Sequence, residues 1–255
     1  MGGRKHALVC RDAFCWCCRG NYFFVVVRPR NSRGGCAKKT SHSPSQGVAN
    51  AIVNAMTSRA LHDSPFVVGI TGMIGAGKGE TSRYLAERYG FVPLFVRSVV
   101  REELERRGLP VDRDHMRELA NQIRSERGAD WFVRELIRKA QNERLPRVII
   151  DSIRVPAEAE AVRDAGGIII AVDADRKIRY KRVVERASET DRVSYEDFVR
   201  QEEAEMTGGG GAASQNLSAV VEGADVFFEN NGALEELHQK IDALMAQLRV
   251  PPHEA

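Results

Sequence analysis

Seven residues near the start of the second quarter of the chain have the types and spacing of a phosphate-binding loop. Gly72-Met73-Ile74-Gly75-Ala76-Gly77-Lys78 fits the pattern G-x-x-x-x-G-K. Consecutive backbone N–H groups can point at one anion only if the chain bends where side chains would block it, which favours glycine. A helix that begins at Lys78 adds the positive end of its dipole, and the lysine can bridge the β- and γ-phosphates of a nucleotide. The motif therefore predicts a site for a nucleoside triphosphate, with these ATP-binding residues: Gly72, Gly75, Ala76, Gly77, Lys78, Gly79 and Glu80.

The residue after the lysine departs from the usual form of this loop. A Ser or Thr commonly follows the lysine and helps to hold magnesium. Here the lysine is followed by Gly79 and Glu80, and a hydroxyl appears only at Thr81. We expect Thr81 to point elsewhere, so the sequence leaves open what replaces this magnesium contact.

A second chemical group stands at the end of a short apolar run. Asp151 ends the run RVIID and lies directly before a turn. A carboxylate in such a place is costly to bury without a partner, so we expect it to have a function. The six histidines form no cluster, and we assign none of them a role.

The elements that must position these residues alternate between strand and helix patterns. Short apolar runs predict five strands, at 66–70, 91–96, 147–151, 167–173 and 224–230. Apolar residues at helical spacing predict helices from Lys78 to Gly90, at 98–107, about 112–127, about 130–142, 157–166, about 175–187 and 233–248, and one opened by the capping box Ser194-Tyr195-Glu196-Asp197.

This alternation predicts an α/β fold, a P-loop NTPase three-layer sandwich with a five-stranded parallel sheet. Ligands of such sheets bind beyond the carboxyl ends of the strands. We predict one domain over 64–250 with a short helical lid at about 187–215, followed by a tail over 251–255. The four glycines at 208–211 cannot lie inside a helix or strand at reasonable cost and predict a mobile loop in the lid.

The first 63 residues differ from the rest of the chain. They hold ten of the 38 Lys/Arg residues, two of the 35 acidic residues and all five cysteines. This segment has three possible interpretations: a zinc site, an organelle transit peptide, or a disordered or non-native extension. We expect the third, with Met56 as the natural start. The rest of the chain has no cysteine, which fits a reducing compartment.

The composition excludes some classes of protein. The net charge is only +3 and 29% of residues are charged, so the chain is not uniformly basic and charge alone does not favour nucleic acid as a partner. No apolar stretch reaches the length of about 18 residues that a membrane span needs. We expect a cytoplasmic protein, a monomer or small homo-oligomer, without a membrane partner.

Several stretches resemble a family of small kinases. Gly77-Lys78-Gly79 resembles the loop of adenylate kinase and other nucleoside monophosphate kinases. GITGMIGAGK is also similar to the start of dephospho-CoA kinases. SVVREELERRG, VIIDSIR and ENNGALEEL look most like an adenylate-kinase-like group of archaea and bacteria. The resemblance covers about residues 65–248.

The resemblance implies roles around the acceptor and the metal. Arg101 matches an arginine that grips the acceptor phosphate, and Arg154 matches a second one. Asp151 matches an acid that orders magnesium through water. Ser98 stands near Arg101, at the position where relatives carry an acid. The acceptor-binding residues that the resemblance implies are therefore Arg101, Arg154 and the residue at this third position, Ser98.

The resemblance also implies roles around the donor. Arg182 and Arg186 match a pair that neutralises the transferring phosphoryl group and, with Lys78 and Asp151, make up the catalytic set. Arg192 and Arg200 are lid candidates, and Asn231 and Gly232 match the loop beside adenine. Planar guanidinium groups suit this chemistry because they bind phosphate oxygens bidentately.

The function expected from these residues is phosphoryl transfer. With magnesium, an ATP-dependent kinase would pass the γ-phosphoryl group of ATP to a nucleotide-like acceptor, either a nucleoside monophosphate or dephospho-CoA. The alternative is a regulatory ATPase module without a small-molecule acceptor, which would need only Lys78 and Asp151. A third reading, nucleic-acid binding through residues 1–63, predicts binding that weakens steeply with salt.

Overall fold

The structure is a computed structural model, and it describes residues 26–27, 65–186, 194–207 and 216–253. The strands are β1 (Val26–Val27), β2 (Phe66–Thr71), β3 (Val92–Phe95), β4 (Arg147–Asp151), β5 (Ile168–Asp173) and β6 (Val226–Glu229). The helices are α1 (Lys78–Tyr89), α2 (Val96–Arg107), α3 (Arg113–Arg127), α4 (Trp131–Asn142), α5 (Pro156–Asp164), α6 (Arg176–Arg186), α7 (Tyr195–Thr207), α8 (Leu217–Glu222) and α9 (Leu234–Gln247).

The strands form one sheet in the order β1-β6-β5-β2-β4-β3. The five strands predicted from the sequence are all present and pair in parallel. The two-residue strand β1 was not predicted, and it pairs antiparallel with β6 at the edge. The strand that precedes the phosphate loop, β2, lies between β5 and β4, so the carboxyl ends of three strands meet around the loop.

Successive residues of the central strands face opposite layers of helices, which gives the predicted three-layer architecture. In β2, Val68 and Ile70 pack in the cluster formed with α1 and α9. Val67 packs in the cluster formed with α4, α5 and α8. Both clusters are buried, as parallel strands covered on two faces require. The sheet therefore gives the loop after β2 a rigid base.

Three helices between β3 and β4 form a smaller cluster beside the sheet. Val100 and Leu104 of α2 pack against Leu119 and Ile123 of α3 and against Phe132 of α4. This helical group follows β3, the edge strand, and therefore stands beside the carboxyl end of β4.

The structure corrects the sequence prediction in two further places. Helix α2 begins at Val96, directly after β3, where the apolar run predicted strand. The short helix α8 was not predicted because six residues carry too little helical period.

Some predictions fall on residues outside those that the structure describes. They concern residues 1–25 and 28–64, including Met56 and all five cysteines, the glycines at 208–211, and the ends of the lid at 187–193 and 208–215. Within the described ranges, no helix is long and apolar enough to cross a membrane.

Candidate active site

The loop between β2 and α1 has the bent backbone that the motif requires. Its three glycines, at 72, 75 and 77, all have positive φ angles. Gly72 also lies against the end of β5, where a Cβ atom would be 1.9 Å from the carbonyl oxygen of Val172. A side chain at this position would therefore both strain the backbone and push the loop away from the sheet.

Lys78 is folded over this loop. Its Nζ donates hydrogen bonds to the carbonyl oxygens of Gly72 and Met73, both at 2.9 Å. The ammonium group thus lies on the inner side of the bend, where it can exchange these contacts for phosphate oxygens. Helix α1 begins here with Gly77 as its N-cap and with no side-chain hydrogen bond to its first N–H groups, which suits an anion.

The first turn of α1 shows where the other loop residues point. Gly79 has no atom within 4 Å of the position that a Cβ would take. Thr81 is buried and its Oγ1 donates to the carbonyl oxygen of Gly77 at 3.2 Å, so this hydroxyl faces back along the helix, as expected. Glu80 accepts hydrogen bonds from Arg83, with His238 Nε2 at 2.7 Å, so its side chain is turned toward α9.

Arg83 and His238 also stabilise the ionised form of Glu80. Burial raises the pKa of Glu80, but the hydrogen bonds from Arg83 and His238 outweigh it, so the pKa lies below its ordinary value. Glu80 therefore stays ionised and serves as a link between α1 and α9.

Asp151 ends β4 next to the carboxyl end of β2. Its Cα is paired with Ile70 on one side and with Phe95 on the other. Within the described ranges its carboxylate accepts one side-chain hydrogen bond, from Ser152 Oγ at 3.3 Å. The side chain is half-buried, and no group of three or more metal-ligating side chains occurs in the described part of the chain. Asp151 could therefore offer one carboxylate to a metal ion.

A groove runs from this point along α1. It has a volume of about 330 Å³ and is mostly apolar, and its lining residues are Gly79, Ser82, Arg83, Ala86, Glu87, Pro93, Phe95 and Asp151. One end of the groove thus opens beside the residue after Lys78, and Phe95 exposes 43% of its surface at its wall. The groove offers space for a second molecule next to the phosphate loop.

The loop after β6 lies on the other side of the phosphate loop. Asn230 is buried, and its Nδ2 donates to the carbonyl oxygen of Ala76 at 2.8 Å. The Oδ1 of Asn231 accepts from the backbone N–H of Asp175 at 2.7 Å, while Gly232 is exposed. Arg182 Nη1 donates to the carbonyl oxygen of Asn230 at 2.9 Å. The structure therefore brings together the predicted adenine loop, Arg182 and the phosphate loop.

Asp173, at the end of β5, is a further carboxylate at this edge. Burial raises the pKa of Asp173 above its ordinary value, against the lowering effects of the Ala174 N–H, Arg179 and Lys78. The rule that selected Asp151, an acid that ends a buried strand, could also have found Asp173.

The predicted acceptor residues lie less close together than the predicted donor residues around the phosphate loop. Ser98 and Arg101 are exposed on α2, where Arg101 makes no ion pair or hydrogen bond with another described residue. Arg154 is half-buried in the turn after β4, and its backbone N–H donates to Glu158 Oε2 at 2.9 Å. Only Arg154 therefore lies close in the chain to Asp151, and the roles of all three residues stay predictions.

The second arginine of the predicted catalytic pair and the two predicted lid residues lie farther along the chain. Arg186 is exposed at the end of α6, and Arg200 is exposed on α7, where it pairs with Asp197 at 2.7 Å. Arg192 is outside the described residues. Their roles also stay predictions.

Two buried arginines were missed by sequence reasoning. Arg124 pairs with Glu158 at 2.9 Å, and Arg179 pairs with Glu202 at 2.5 Å, with all four side chains nearly inaccessible. Each arginine stands in a helix rich in charges, and its partner lies far away in the sequence. No local pattern distinguishes such a residue from its exposed neighbours.

Comparison with known proteins agrees with this geometry. The profile of the AAA domain family matches residues 68–208, more than half of the chain. A UPF0200 protein of Pyrobaculum aerophilum is 32% identical over 186 residues, which cover 72% of this chain and 98% of the relative. The chain belongs to the UPF0200 family. Another UPF0200 protein, from Methanoregula boonei, is 29% identical over 188 residues, which cover 73% of this chain and 99% of the relative. The AAA-domain match of this chain includes the phosphate loop described above.

The chain is also similar to solved structures, at lower levels. TT1252 from Thermus thermophilus has 23% identity and a TM-score of 0.49, with 72% of this chain and 98% of that chain covered. The shikimate kinase from Acinetobacter baumannii has 20% identity and a TM-score of 0.41, with 74% of this chain and 97% of that chain covered. Membership of the UPF0200 family rests on the sequence relatives alone.

Proposed function

We propose that the chain is an ATP-dependent phosphotransferase of the adenylate kinase type. It would transfer the γ-phosphoryl group of ATP to a nucleotide-like acceptor, either a nucleoside monophosphate or dephospho-CoA. The fold and the phosphate loop support nucleotide binding, and the acceptor is the part that goes beyond them.

The groove beside Asp151 is the observation that carries the proposal. A kinase needs space for a second substrate at the phosphate end of its nucleotide site. Here a groove of about 330 Å³ begins at Gly79 and Asp151, next to the place where the γ-phosphate of a bound nucleotide would lie. An acceptor in this groove would lie near the group to be transferred and be shielded from water on one side.

The donor would be held from three directions. Lys78 and the N–H groups at the start of α1 would bind the β- and γ-phosphates. Asn231 and Gly232 would flank the base, and Arg182 would approach from α6. Phosphoryl transfer needs little covalent help from the protein, so positioning and charge neutralisation by these groups account for most of the catalysis.

Magnesium fits the residues on this edge. Asp151 would hold the ion through water, and the phosphates of the nucleotide would supply the remaining oxygen ligands. When bound there, magnesium would supply positive charge beside the transferring phosphoryl group, and Asp151 would keep it in place. Gly79 would contribute no ligand, which leaves the metal more dependent on Asp151 than in loops with Ser or Thr.

The acceptor phosphate would meet arginines from the turn after β4 and from α2. Arg154 follows Asp151 by three residues, and Arg101 presents an exposed guanidinium. We expect an acceptor to draw these two arginines toward the γ-phosphate, with Ser98 beside Arg101.

The proposal is tested by ATP consumption with a panel of acceptors. The full chain is assayed with each nucleoside monophosphate and with dephospho-CoA. Lys78→Ala is expected to abolish any stimulation, and Lys139→Ala, an exposed lysine on α4, is expected to leave it unchanged. Strong stimulation by one acceptor would name the substrate. Tight ATP binding without stimulation by any acceptor would contradict the proposal and favour the regulatory ATPase.

The groove itself is tested by shortening Phe95. Phe95→Ala is expected to raise the KM for the acceptor about tenfold, because a buried aromatic contact is worth about 1–3 kcal/mol. Val92→Ala is the control, since Val92 points to the opposite face of β3. An unchanged acceptor KM in Phe95→Ala would place the acceptor elsewhere.

A further inference from the structure

Arg179 is a buried charge that the proposed reaction does not use. It lies in the first turns of α6, one turn before Arg182, and only 4% of its surface is exposed. A charged side chain is rarely buried unless it is fully paired. Its contacts therefore indicate what it holds in place.

The guanidinium of Arg179 contacts three separate parts of the molecule. Its Nε donates to the carbonyl oxygen of Ala174 at 2.7 Å and lies 3.3 Å from Asp173 Oδ1, at the end of β5. Its Nη1 donates to the carbonyl oxygen of Ile74 in the phosphate loop at 3.5 Å, a weak contact. Its Nη2 donates to Glu202 Oε1 of α7 at 2.5 Å. One side chain thus joins the phosphate loop, the sheet and α7.

The backbone of Arg179 touches the phosphate loop as well. A Cβ atom at Gly75 would lie 2.5 Å from the carbonyl oxygen of Arg179, so α6 is packed directly on the loop. If the loop shifts at Ile74 and Gly75, Arg179 must therefore move with it. If Arg179 stays in place, its contacts oppose the shift.

Helix α7 is docked on α6 around this contact. Phe198 is fully buried, its ring lies 5.5 Å from that of Tyr180, and the Arg179 guanidinium lies 5.9 Å from its centre. Arg176 Nε lies 2.8 Å from Glu202 Oε2 in ion-pair contact, although this oxygen accepts no well-formed hydrogen bond. The buried Glu202 is thus paired with both arginines, and Arg179 is the one that donates a hydrogen bond to it.

We infer that Arg179 is a positioning residue of the donor site. Through Ile74 and Glu202 it transmits binding of nucleotide phosphates at the loop to α7, and it fixes α6 so that Arg182 faces the nucleotide. The inference rests on the proposed donor site but not on the acceptor, because Arg179 contacts the phosphate loop, the end of β5 and α7.

The test is hydrogen exchange of the full chain with and without a non-hydrolysable ATP analogue and magnesium. In the wild type, we expect the analogue to slow exchange in residues 72–79 and also in residues 195–207. In Glu202→Gln and Arg179→Gln, protection of 72–79 should persist and protection of 195–207 should be lost.

A matched control is the other buried Arg–Glu pair. Glu158→Gln disturbs Arg124 in the same way but lies on the acceptor side of the sheet. It should keep analogue-induced protection in both segments. This control separates loss of coupling from the general cost of disturbing a buried ion pair.

Steady-state kinetics give a second measurement, the change in kcat relative to the change in the KM for ATP. A purely structural role of Arg179 would not change the two quantities differently. Glu202→Gln is expected to lower kcat about tenfold while the KM for ATP changes less than about twofold, because misplacement of the arginines affects the transition state more than binding.

The outcomes separate the inference from the proposed function. Protection of 72–79 without any effect on 195–207 in the wild type would overturn the coupling and leave the donor site intact. Protection of 195–207 that survives in both variants would also overturn it. No protection of 72–79 in the wild type would overturn the donor site, and the coupling with it.

Discussion

Two glycines of the phosphate loop have opposite surroundings. Gly75 has a φ of 75° and lies against the Arg179 backbone, whereas Gly79 lies in α1 with open space around it. Gly75→Ala is expected to weaken ATP binding about tenfold or more, since the loop must shift away from α6. Gly79→Ala is expected to stabilise the chain by about 0.5–1 kcal/mol, through its higher helix propensity.

Calorimetric titration with ATP and thermal melting check this pair. Gly79→Ala is the control for Gly75→Ala, because both variants add one methyl group and the two positions are four residues apart. Equal ATP affinity in the two variants would mean that the close approach of α6 does not shape the phosphate site.

Gly79 also allows the missing hydroxyl to be restored. Gly79→Ser places an Oγ after Lys78, where there is room for it. We expect the magnesium concentration for half-maximal activity to fall severalfold, since a second oxygen would help to hold the ion. Activity is measured across a magnesium titration, with Gly79→Ala as the control. An unchanged magnesium requirement would indicate that the ion lies away from α1.

At the scale of elements, Glu158 organises the turn that carries Arg154. It is fully buried at the start of α5, where it accepts from the backbone N–H groups of Arg154 and Val155 and from Arg124 of α3. Glu158→Gln is expected to destabilise the chain by about 1–3 kcal/mol, because it weakens buried hydrogen bonds. It should also raise the acceptor KM while the ATP KM stays unchanged.

Denaturant unfolding and steady-state kinetics test the role of Glu158. Glu160→Gln is the matched control, since Glu160 is exposed on the same helix and its ion-pair partner among the described residues is Arg163. A rise in the ATP KM that equals the rise in the acceptor KM would show that Glu158 supports the whole site rather than this turn.

Helices α1 and α9 are joined by two tyrosines that share one carboxylate. Tyr89 donates to Asp242 Oδ1 at 2.6 Å and Tyr84 at 3.0 Å. Burial, followed by the hydrogen bond to Asp242, raises the pKa of Tyr89 above its ordinary value of 10.0. The folded state thus keeps a proton that the unfolded state loses above pH about 10, so stability should fall as pH rises beyond that point.

Urea unfolding between pH 8 and pH 11 checks this expectation. In Tyr89→Phe the fall in stability above pH about 10 should be smaller, because the variant has no phenol to ionise. Tyr195→Phe, which changes an exposed tyrosine, should keep the wild-type slope. A slope in Tyr89→Phe equal to that of the wild type would contradict the role of this phenol.

The sequence predicted elements whose signal is local. The run RVIID is apolar, short and followed by a turn, so both β4 and the placement of Asp151 were predictable. The motif ending in Lys78 gave the loop, because its glycines are needed for the backbone itself. In contrast, the burial of Arg179 depends on Glu202 and Phe198, which the fold brings from another helix. Residues of this kind cannot be recognised from their own neighbours in the sequence.

At the scale of the whole molecule, the two buried Arg–Glu pairs stand on opposite sides of the phosphate loop. Arg124 and Glu158 tie α3 to the turn after β4, which carries Arg154, the arginine proposed to bind the acceptor. Arg179 and Glu202 tie α7 to the loop that would hold ATP. The molecule is thus organised as a rigid sheet with one attached group of helices for each proposed substrate.

The measurement that tests the central claim most directly follows the γ-phosphoryl group itself. The full chain is incubated with magnesium, γ-labelled ATP and each acceptor of the panel, and the label is located after separation of the products. We expect the label in one acceptor, at a rate well above its release as inorganic phosphate, and no transfer in Lys78→Ala. Label found only in inorganic phosphate, whatever acceptor is added, would contradict the account and identify an ATPase.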